Sequence, residues 1–192
     1  MSAVPNAGNG RAIYKESCAP CHGETARGNA KTITPALAGQ VQSYLVKQLA
    51  DFAEGQRSEP AMQRVVAHTR LTSPQALRDL ASDVAGLPRN SKPERGDGTK
   101  LDSGRRVYEK FCTECHGLRA SGDELDFIPA LQGQHYSYLL KQVRNFSAGH
   151  RQGVDIDVLH DMQALSLDEL TAVADYMSRL PVDVPLPVMA PR

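Results

Sequence analysis

The chain contains the segment Cys18-Ala19-Pro20-Cys21-His22, and the same pattern returns at Cys112-Thr113-Glu114-Cys115-His116. The two pairs lie 94 residues apart, whereas paired CxxC motifs that share a zinc ion are separated by about 15 to 20 residues. A thioredoxin-like dithiol would follow a strand in a βαβ pattern, and the sequence shows no convincing strand. The remaining interpretation is covalent attachment of one haem c to each pair, with His22 and His116 as the proximal iron ligands.

The two halves of the chain match well beyond the cysteines. At the same offset of 94 residues, the matches include Tyr14 with Tyr108, Pro35-Ala36-Leu37 with Pro129-Ala130-Leu131, Gly39-Gln40 with Gly133-Gln134, Ser43-Tyr44-Leu45 with Ser137-Tyr138-Leu139, and Arg57 with Arg151. The chain is therefore predicted to be two tandem copies of one domain. Residues 1–90 form the first domain and residues 100–192 the second, and the polar stretch 91–99 joins them as a linker.

Helical periodicity predicts an all-α fold with three helices in each copy. A short helix runs into the cysteines, a second carries an apolar stripe from Val41 to Phe52, and a third begins at Ser73 or at Ser166 with capping signals. Three helices make a marginal core for a domain of this size. Aromatic residues are only 5% of the chain and Trp is absent, so a covalently held haem is expected to fill the space between the helices.

The formal net charge of the chain is zero, with 22 basic and 22 acidic residues. This balance disfavours a general nucleic-acid or anionic-membrane binder, since both need an excess of Lys and Arg. Residues 1–93 contain 11 basic and 7 acidic residues, while residues 94–192 contain 11 and 15. The two halves are therefore predicted to form a dipole that can orient charged partners. No run of residues is long and apolar enough for a membrane span, and residues 1–8 do not resemble an export signal, which is expected to have been removed or replaced.

The tandem CxxCH domains, each with a Pro-Ala-Leu-x-Gly segment and a Tyr-Leu-x-x-Gln helix, resemble the dihaem cytochrome c4 family. This resemblance implies two class I cytochrome c domains, each a few helices wrapped around one haem c, in a pseudo-twofold pair with the haem propionates close together. It also implies that the backbone carbonyls of Pro35 and Pro129 accept hydrogen bonds from the proximal histidines.

The resemblance places the second axial ligand of each haem after the arginine of the repeat. In the first copy Met62 fits this position, with His68 as the alternative. In the second copy Leu159 occupies the expected position, and the candidates are Met162, His160 or an open iron site. His135 and His150 are interpreted as surface or helix-end residues rather than ligands.

The function implied by the resemblance is periplasmic electron transfer without bond chemistry, so no catalytic residue is predicted. The partners would be a respiratory or dehydrogenase donor, such as a quinol-oxidising complex, and a terminal oxidase or reductase. One alternative is an electron-transfer subunit of a flavocytochrome or another periplasmic oxidoreductase. A further alternative is a dihaem enzyme such as a thiosulfate dehydrogenase, which the irregular distal region of the second copy suggests.

Overall fold

The computed structural model describes residues 4–69, 71, 73–151 and 153–182. Residues 1–3 and 183–192, the outer ends of the two predicted domains, lie outside the described residues. Residues 1–3 are also the start of the segment 1–8 that does not resemble an export signal. The described part is helical, and its extended pairing consists of the isolated bridges Asn29–Thr34 and Asp123–Ile128. The predicted all-α class is therefore confirmed.

The described part of each half contains five α-helices, in the same order. The first half consists of α1 (Ala7–Ile13), α2 (Ala19–His22), α3 (Gln42–Ala53), α4 (Pro60–His68) and α5 (Pro74–Ala85), with a π-helical turn at Tyr14–Cys18 and a 3-10 turn at Ala30–Thr32. The second half consists of α6 (Leu101–Phe111), α7 (Thr113–His116), α8 (Tyr136–Ser147), α9 (Ile156–Ala164) and α10 (Leu167–Ser178). The cysteine motifs thus lie on short helices of their own, α2 and α7.

The predicted helix starts at Ser73 and Ser166 are confirmed, but three helices per copy is too few. The Ser73 hydroxyl accepts a hydrogen bond from Ala76 N at 3.1 Å, and Ser166 with Glu169 forms a capping box. Sequence periodicity missed α4 and α9, which precede these caps. No residue of α4 is fully buried and only Met162 of α9 is, and each helix has only nine residues, too few for a sustained apolar pattern to stand out in the sequence.

Each half has its own apolar cluster of buried side chains. In the first half it is built around Tyr14, Leu45, Leu80 and Val84, and in the second around Tyr108, Leu139, Leu170 and Val173. The first and last long helices of each half cross at a glycine. A Cβ on Gly10 would overlap the Asp79 carbonyl oxygen, and a Cβ on Gly104 would overlap that of Ala172, so the helix backbones touch directly at both crossings.

The two halves bind each other through reciprocal glutamine contacts. Gln134 donates to Ala36 O and accepts from Ala36 N, both at 2.9 Å. Gln40 makes the same pair of bonds with Ala130, at 2.9 and 2.7 Å. Because Gln40 and Gln134 are equivalent positions of the repeat, the reciprocal bonds are what a pseudo-twofold pairing produces.

The stretch 91–99 is attached to the second half rather than hanging free. Glu94 accepts hydrogen bonds from Tyr136 N and Ser137 N at the start of α8. Gly98 N donates to the Asp175 carboxylate at 2.7 Å, and the Arg179 guanidinium donates to Gly96 O at 2.6 Å. The chain between the two repeats is therefore fixed along α8 and α10.

Candidate haem-binding sites

Both histidines of the cysteine motifs are oriented by a proline carbonyl. His22 Nδ1 lies 3.0 Å from Pro35 O and His116 Nδ1 lies 2.9 Å from Pro129 O. Burial lowers the pKa of each imidazole, although the hydrogen bond to the proline opposes the shift. Each ring is therefore neutral at pH 7, with Nδ1 as the donor and Nε2 as the atom that can bind a metal.

The cysteines lack the character of a redox dithiol. Burial raises the pKa of Cys18 to about 11 and that of Cys112 to about 12, whereas a catalytic dithiol contains a thiol whose pKa is lowered. Cys21 and Cys115, the second cysteines of the motifs, are exposed. Among the described residues, no group of three or more His, Cys, Asp or Glu side chains is placed to hold a metal ion.

Two buried tyrosines position the chain that follows the motifs. The Tyr14 hydroxyl donates to Gly23 O at 2.6 Å, and the Tyr108 hydroxyl donates to Gly117 O at 2.7 Å. Each glycine ends its short helix in a conformation with positive φ, +80° and +74° respectively. The sequence showed that the tyrosines repeat but did not indicate what they do. The repeat of both Tyr and Gly at the same spacing could have suggested that the two residues are in contact.

The first-half candidates for the second axial ligand lie at opposite ends of α4. Met62 is half-buried in the first turn. His68 is the exposed last residue, and its Nδ1 donates a hydrogen bond to Arg64 O at 2.7 Å. Since a carbonyl oxygen only accepts, this ring nitrogen carries the proton. Of the two side chains, Met62 is the more protected from solvent.

The second-half candidates differ sharply in burial. Met162 is 7% exposed and belongs to the apolar cluster that also contains Cys112. His160 is exposed and Leu159 is half-buried. Residues two apart on an α-helix point about 200° away from each other, so α9 directs Met162 into the apolar cluster that contains Cys112 while His160 faces solvent.

A network of polar side chains joins the two halves, and the sequence did not predict it. Arg57 is 9% exposed and donates to Gln48 Oε1 and to the Tyr138 hydroxyl, both at 2.6 Å. Its guanidinium also lies over the Phe52 ring, 4.6 Å from the centroid. Gln48 was expected to face the haem as part of the α3 stripe, but this side of α3 faces the other domain.

The equivalent network is built from the second half. Arg151, 6% exposed, donates to Gln142 Oε1 at 2.6 Å, to the Tyr44 hydroxyl at 2.8 Å and to Gln48 Oε1 at 2.9 Å. Its guanidinium lies 4.6 Å from the centroid of the Phe146 ring. Burial raises the pKa of Tyr44, but the two guanidinium groups lower it by more, so the net shift is downward.

The surroundings of the two buried guanidinium groups show whether the residues present fit a haem. Among the described residues, no ion pair joins Arg57 or Arg151 to a carboxylate, and their acceptors are hydroxyl and amide oxygens. A buried cation whose hydrogen-bond acceptors are all uncharged is disfavoured, and the carboxylate of Asp51 acts on Arg57 only through space. Haem propionates are carboxylates, so haems whose propionates meet between the domains would supply the missing negative charge, and the residues present fit the group.

A carboxylate of the second half caps the start of α3 in the first half. Glu124 accepts from Gln42 N at 2.9 Å and from Ser43 N at 2.8 Å, at the start of α3.

His135 precedes α8 and is buried between the halves, where Nδ1 accepts from Glu94 N and Nε2 donates to Arg27 O. The helix-end interpretation of His135 is confirmed, but its surface position is wrong. His150 is exposed, as expected.

The second cysteine motif is surrounded by negative charge. Burial raises the pKa of Cys115, and four nearby carboxylates raise it further: Glu114, Asp155, Asp126 and Asp161. At the positions equivalent to Glu114 and Asp126, the first half has Pro20 and Thr32. Part of the charge difference between the halves therefore lies at this site.

Comparison with known proteins gives a consistent picture. The family model described as Cytochrome c matches residues 7–82 and 101–181. The chain is 32% identical to a thiosulfate dehydrogenase electron acceptor from Stutzerimonas stutzeri, over 94% of this chain and 90% of that protein. It is 30% identical to cytochrome c4 from Azotobacter vinelandii, over 91% of this chain and 88% of that protein.

The fold matches as well as the sequence. The crystal structure of cytochrome c4 from Pseudomonas stutzeri superimposes with a TM-score of 0.80 at 26% identity, covering 92% of this chain and all of that one (100%). Among the described residues, no helix is long and apolar enough to cross a membrane.

Proposed function

Because the chain belongs to the cytochrome c4 family of c-type cytochromes, we propose that it carries one covalent haem c in each domain and transfers electrons between periplasmic redox proteins. Electron transfer itself follows from its relatives, which are named as cytochromes or electron acceptors. The observation that supports two haems is the duplication of one site. Each CxxCH motif is followed, 13 residues after its histidine, by a proline carbonyl bonded to the histidine Nδ1.

The proposed roles of the side chains follow from their positions. Cys18 and Cys21 form thioether bonds in the first domain, and Cys112 and Cys115 do so in the second. Haem iron, when bound, takes up and releases a single electron. His22 and His116 present Nε2 as proximal ligands because Pro35 O and Pro129 O hold the opposite ring nitrogen. Met62 and Met162 are the proposed distal ligands.

Haem content tests this proposal directly. The chain should be exported through a c-type haem-attachment pathway and measured by pyridine haemochrome absorbance and intact mass. Two haems per polypeptide are expected, because both motifs have an oriented histidine. The double variant Cys112→Ser/Cys115→Ser should retain one haem, in the first domain. A wild-type chain with a single haem would contradict the proposal.

A second candidate function is more specific: electron acceptor for a thiosulfate-oxidising enzyme. It is supported by the relative from Stutzerimonas stutzeri, whose name states this role and whose length the chain covers almost completely. As a carrier without a substrate site of its own, the chain would receive electrons from the dehydrogenase rather than from thiosulfate.

Mixing experiments test the thiosulfate candidate. The ferric chain should become reduced when thiosulfate and a thiosulfate dehydrogenase are both present, and should stay oxidised with thiosulfate alone. Absorbance of the ferrous haem bands follows the reaction, and ferricyanide serves as the control acceptor. If the enzyme reduces ferricyanide but leaves this chain oxidised, the thiosulfate candidate is wrong and the donor belongs to another class.

A further inference from the structure

Exposed apolar side chains are distributed unequally between the two domains. Among the described residues, seven large apolar side chains are exposed, and five of these follow residue 100. Four of the five are Leu118 (79% exposed) just after the second cysteine motif, Leu125 (86%) and Phe127 (51%) in the loop 123–128, and Ile156 (59%) at the start of α9. The first domain has only Ile33, at 41%, in its equivalent segments. Exposed apolar groups that cluster in this way typically mark an interaction surface.

The loop that carries two of these side chains is fixed beside the haem attachment site. Gly122 N donates to His116 O at 3.3 Å, and Pro129 O lies 2.9 Å from His116 Nδ1, so both ends of the loop are bound to the same histidine. Asp123 and Ile128 close the loop with two backbone hydrogen bonds of 2.9 Å. Residues 124–127 therefore form a rigid projection next to the attachment site.

Carboxylates surround these apolar side chains. Asp126 lies between Leu125 and Phe127, and Asp155 precedes Ile156 at the start of α9. Both carboxylates are close enough to Cys115 to act on its thiol, as are Glu114 and Asp161. Arg119, which follows Leu118, adds one positive charge, so the acidic groups predominate.

The first domain provides an internal comparison for the same surface. Its equivalent loop has Lys31-Thr32-Ile33 where the second domain has Leu125-Asp126-Phe127, and Glu24 is in the place of Leu118. The loop backbone is the same, since Gly28 N donates to His22 O at 2.9 Å and Asn29 pairs with Thr34. The repeat thus preserves the scaffold, and only the second domain combines apolar side chains with an acidic border.

Phe127 occupies a backbone position that does not favour an aromatic residue. Its φ is +57°, and the equivalent Ile33 has a φ of +55°. Bulky side chains rarely adopt this left-handed conformation, whereas Asn tolerates it. Neither fold stability nor solubility therefore requires a half-exposed phenylalanine at this position.

We propose that the second-domain edge, formed by Leu118, Leu125, Phe127 and Ile156 with their carboxylate border, docks a redox protein whose own surface has an apolar centre ringed by Lys and Arg. This inference rests on the proposed function, because the edge adjoins the haem attachment site through which an electron would leave or enter. Opposite charges steer the encounter, and apolar contact at the centre allows close approach. The small size of the edge suits a transient complex.

Chemical-shift mapping tests the proposal with a defined probe. The ¹⁵N-labelled ferrous holoprotein is titrated with ferrous mitochondrial cytochrome c, a strongly cationic protein, at low ionic strength. Shifts are expected at residues 118, 125–127 and 155–156, and binding should weaken as salt is added. Shifts confined to the first-domain loop 28–34, or the absence of binding, would overturn the proposal.

Matched variants separate docking from folding. Phe127→Asn should weaken binding at least about 3-fold, because it removes the apolar centre, while the urea midpoint stays equal or rises. Ile33→Asn, the same change in the same backbone conformation, should leave binding unchanged. Asp126→Asn should also weaken binding, whereas Glu54→Gln, an equal charge change on the first domain, should not. Equal effects of the two asparagine variants at 33 and 127 would contradict the assignment of the edge.

Two further measurements separate a failure of the docking proposal from a failure of the proposed function. Sedimentation of the chain alone at low salt should show a monomer, since a dimer in which the basic first domain of one copy covers the edge of another would overturn the proposal. Haem content of the same sample decides the proposed function separately. A chain with two haems that does not bind the probe disproves the docking edge only, whereas a chain without haem disproves the proposed function.

Discussion

Met162→Ala is expected to remove the methionine-to-iron charge-transfer band of the second domain from the near-infrared spectrum of the oxidised protein. Met162 is buried in the apolar cluster that contains Cys112. The thioether of a methionine is a common axial ligand of the haem iron in cytochromes c. Loss of the thioether should also lower the reduction potential of that haem, since methionine ligation raises it. Spectroelectrochemistry measures both effects on one sample.

His160→Ala is the matched control for this prediction. His160 lies two residues away on α9 and is exposed, so its removal should leave both the band and the potentials unchanged. Met62→Ala should remove only the band of the first domain. If Met162→Ala leaves the spectrum intact while His160→Ala changes the electron paramagnetic resonance signal, the second haem has a histidine as its distal ligand and our assignment is wrong.

Arg57→Ala is expected to destabilise the pairing of the two domains by about 3 kcal/mol. Hydrogen bonds to charged groups contribute about 1.5 to 3 kcal/mol each, and the variant also leaves their buried acceptors without a donor. The partners left behind are Gln48 and the Tyr138 hydroxyl, each 2.6 Å from the guanidinium. Urea unfolding of the holoprotein, followed by circular dichroism, measures the change. Arg57→Lys should lie between wild type and alanine, since it keeps the charge but not the forked geometry.

A second contact between the domains provides the comparison. Lys141 pairs with Glu59 at 2.6 Å, but the two side chains are 39% and 37% exposed. Exposed ion pairs contribute about 0 to 1 kcal/mol, so Lys141→Ala should change the free energy of unfolding far less than Arg57→Ala. Equal losses from the two variants would show that the buried guanidinium has no special part in the pairing.

The two CxxCH motifs were recognisable from the sequence because their determinants are local. Cys18, Cys21 and His22 are held at fixed spacing by the chain itself, and the duplication at 94 residues made chance unlikely as an explanation for either motif. The prolines at 35 and 129 followed from the family resemblance, and the structure places both carbonyls within hydrogen-bond distance of the histidines. Helix capping at Ser73 and Ser166 was predictable for the same reason.

The helices α4 and α9 were missed because nothing in their own sequence requires them. They are short and have at most one buried residue, and helices of this length depend on tertiary contacts. The choice between Met162 and His160 could not be made from the sequence for the same reason. Both side chains can bind iron, and only the packing of α9 on α8 decides which of them is buried.

The sequence by itself determined where the two CxxCH motifs lie, how many times the domain is repeated and which half carries the negative charge. Tertiary structure alone decided that Arg57 meets Tyr138, that Glu124 caps α3, and that Leu125 and Phe127 project beside a carboxylate border. These contacts join residues separated by about 80 positions, or depend on which face of a loop meets solvent. No local spacing rule specifies such pairs, because they exist only after the two domains have packed together.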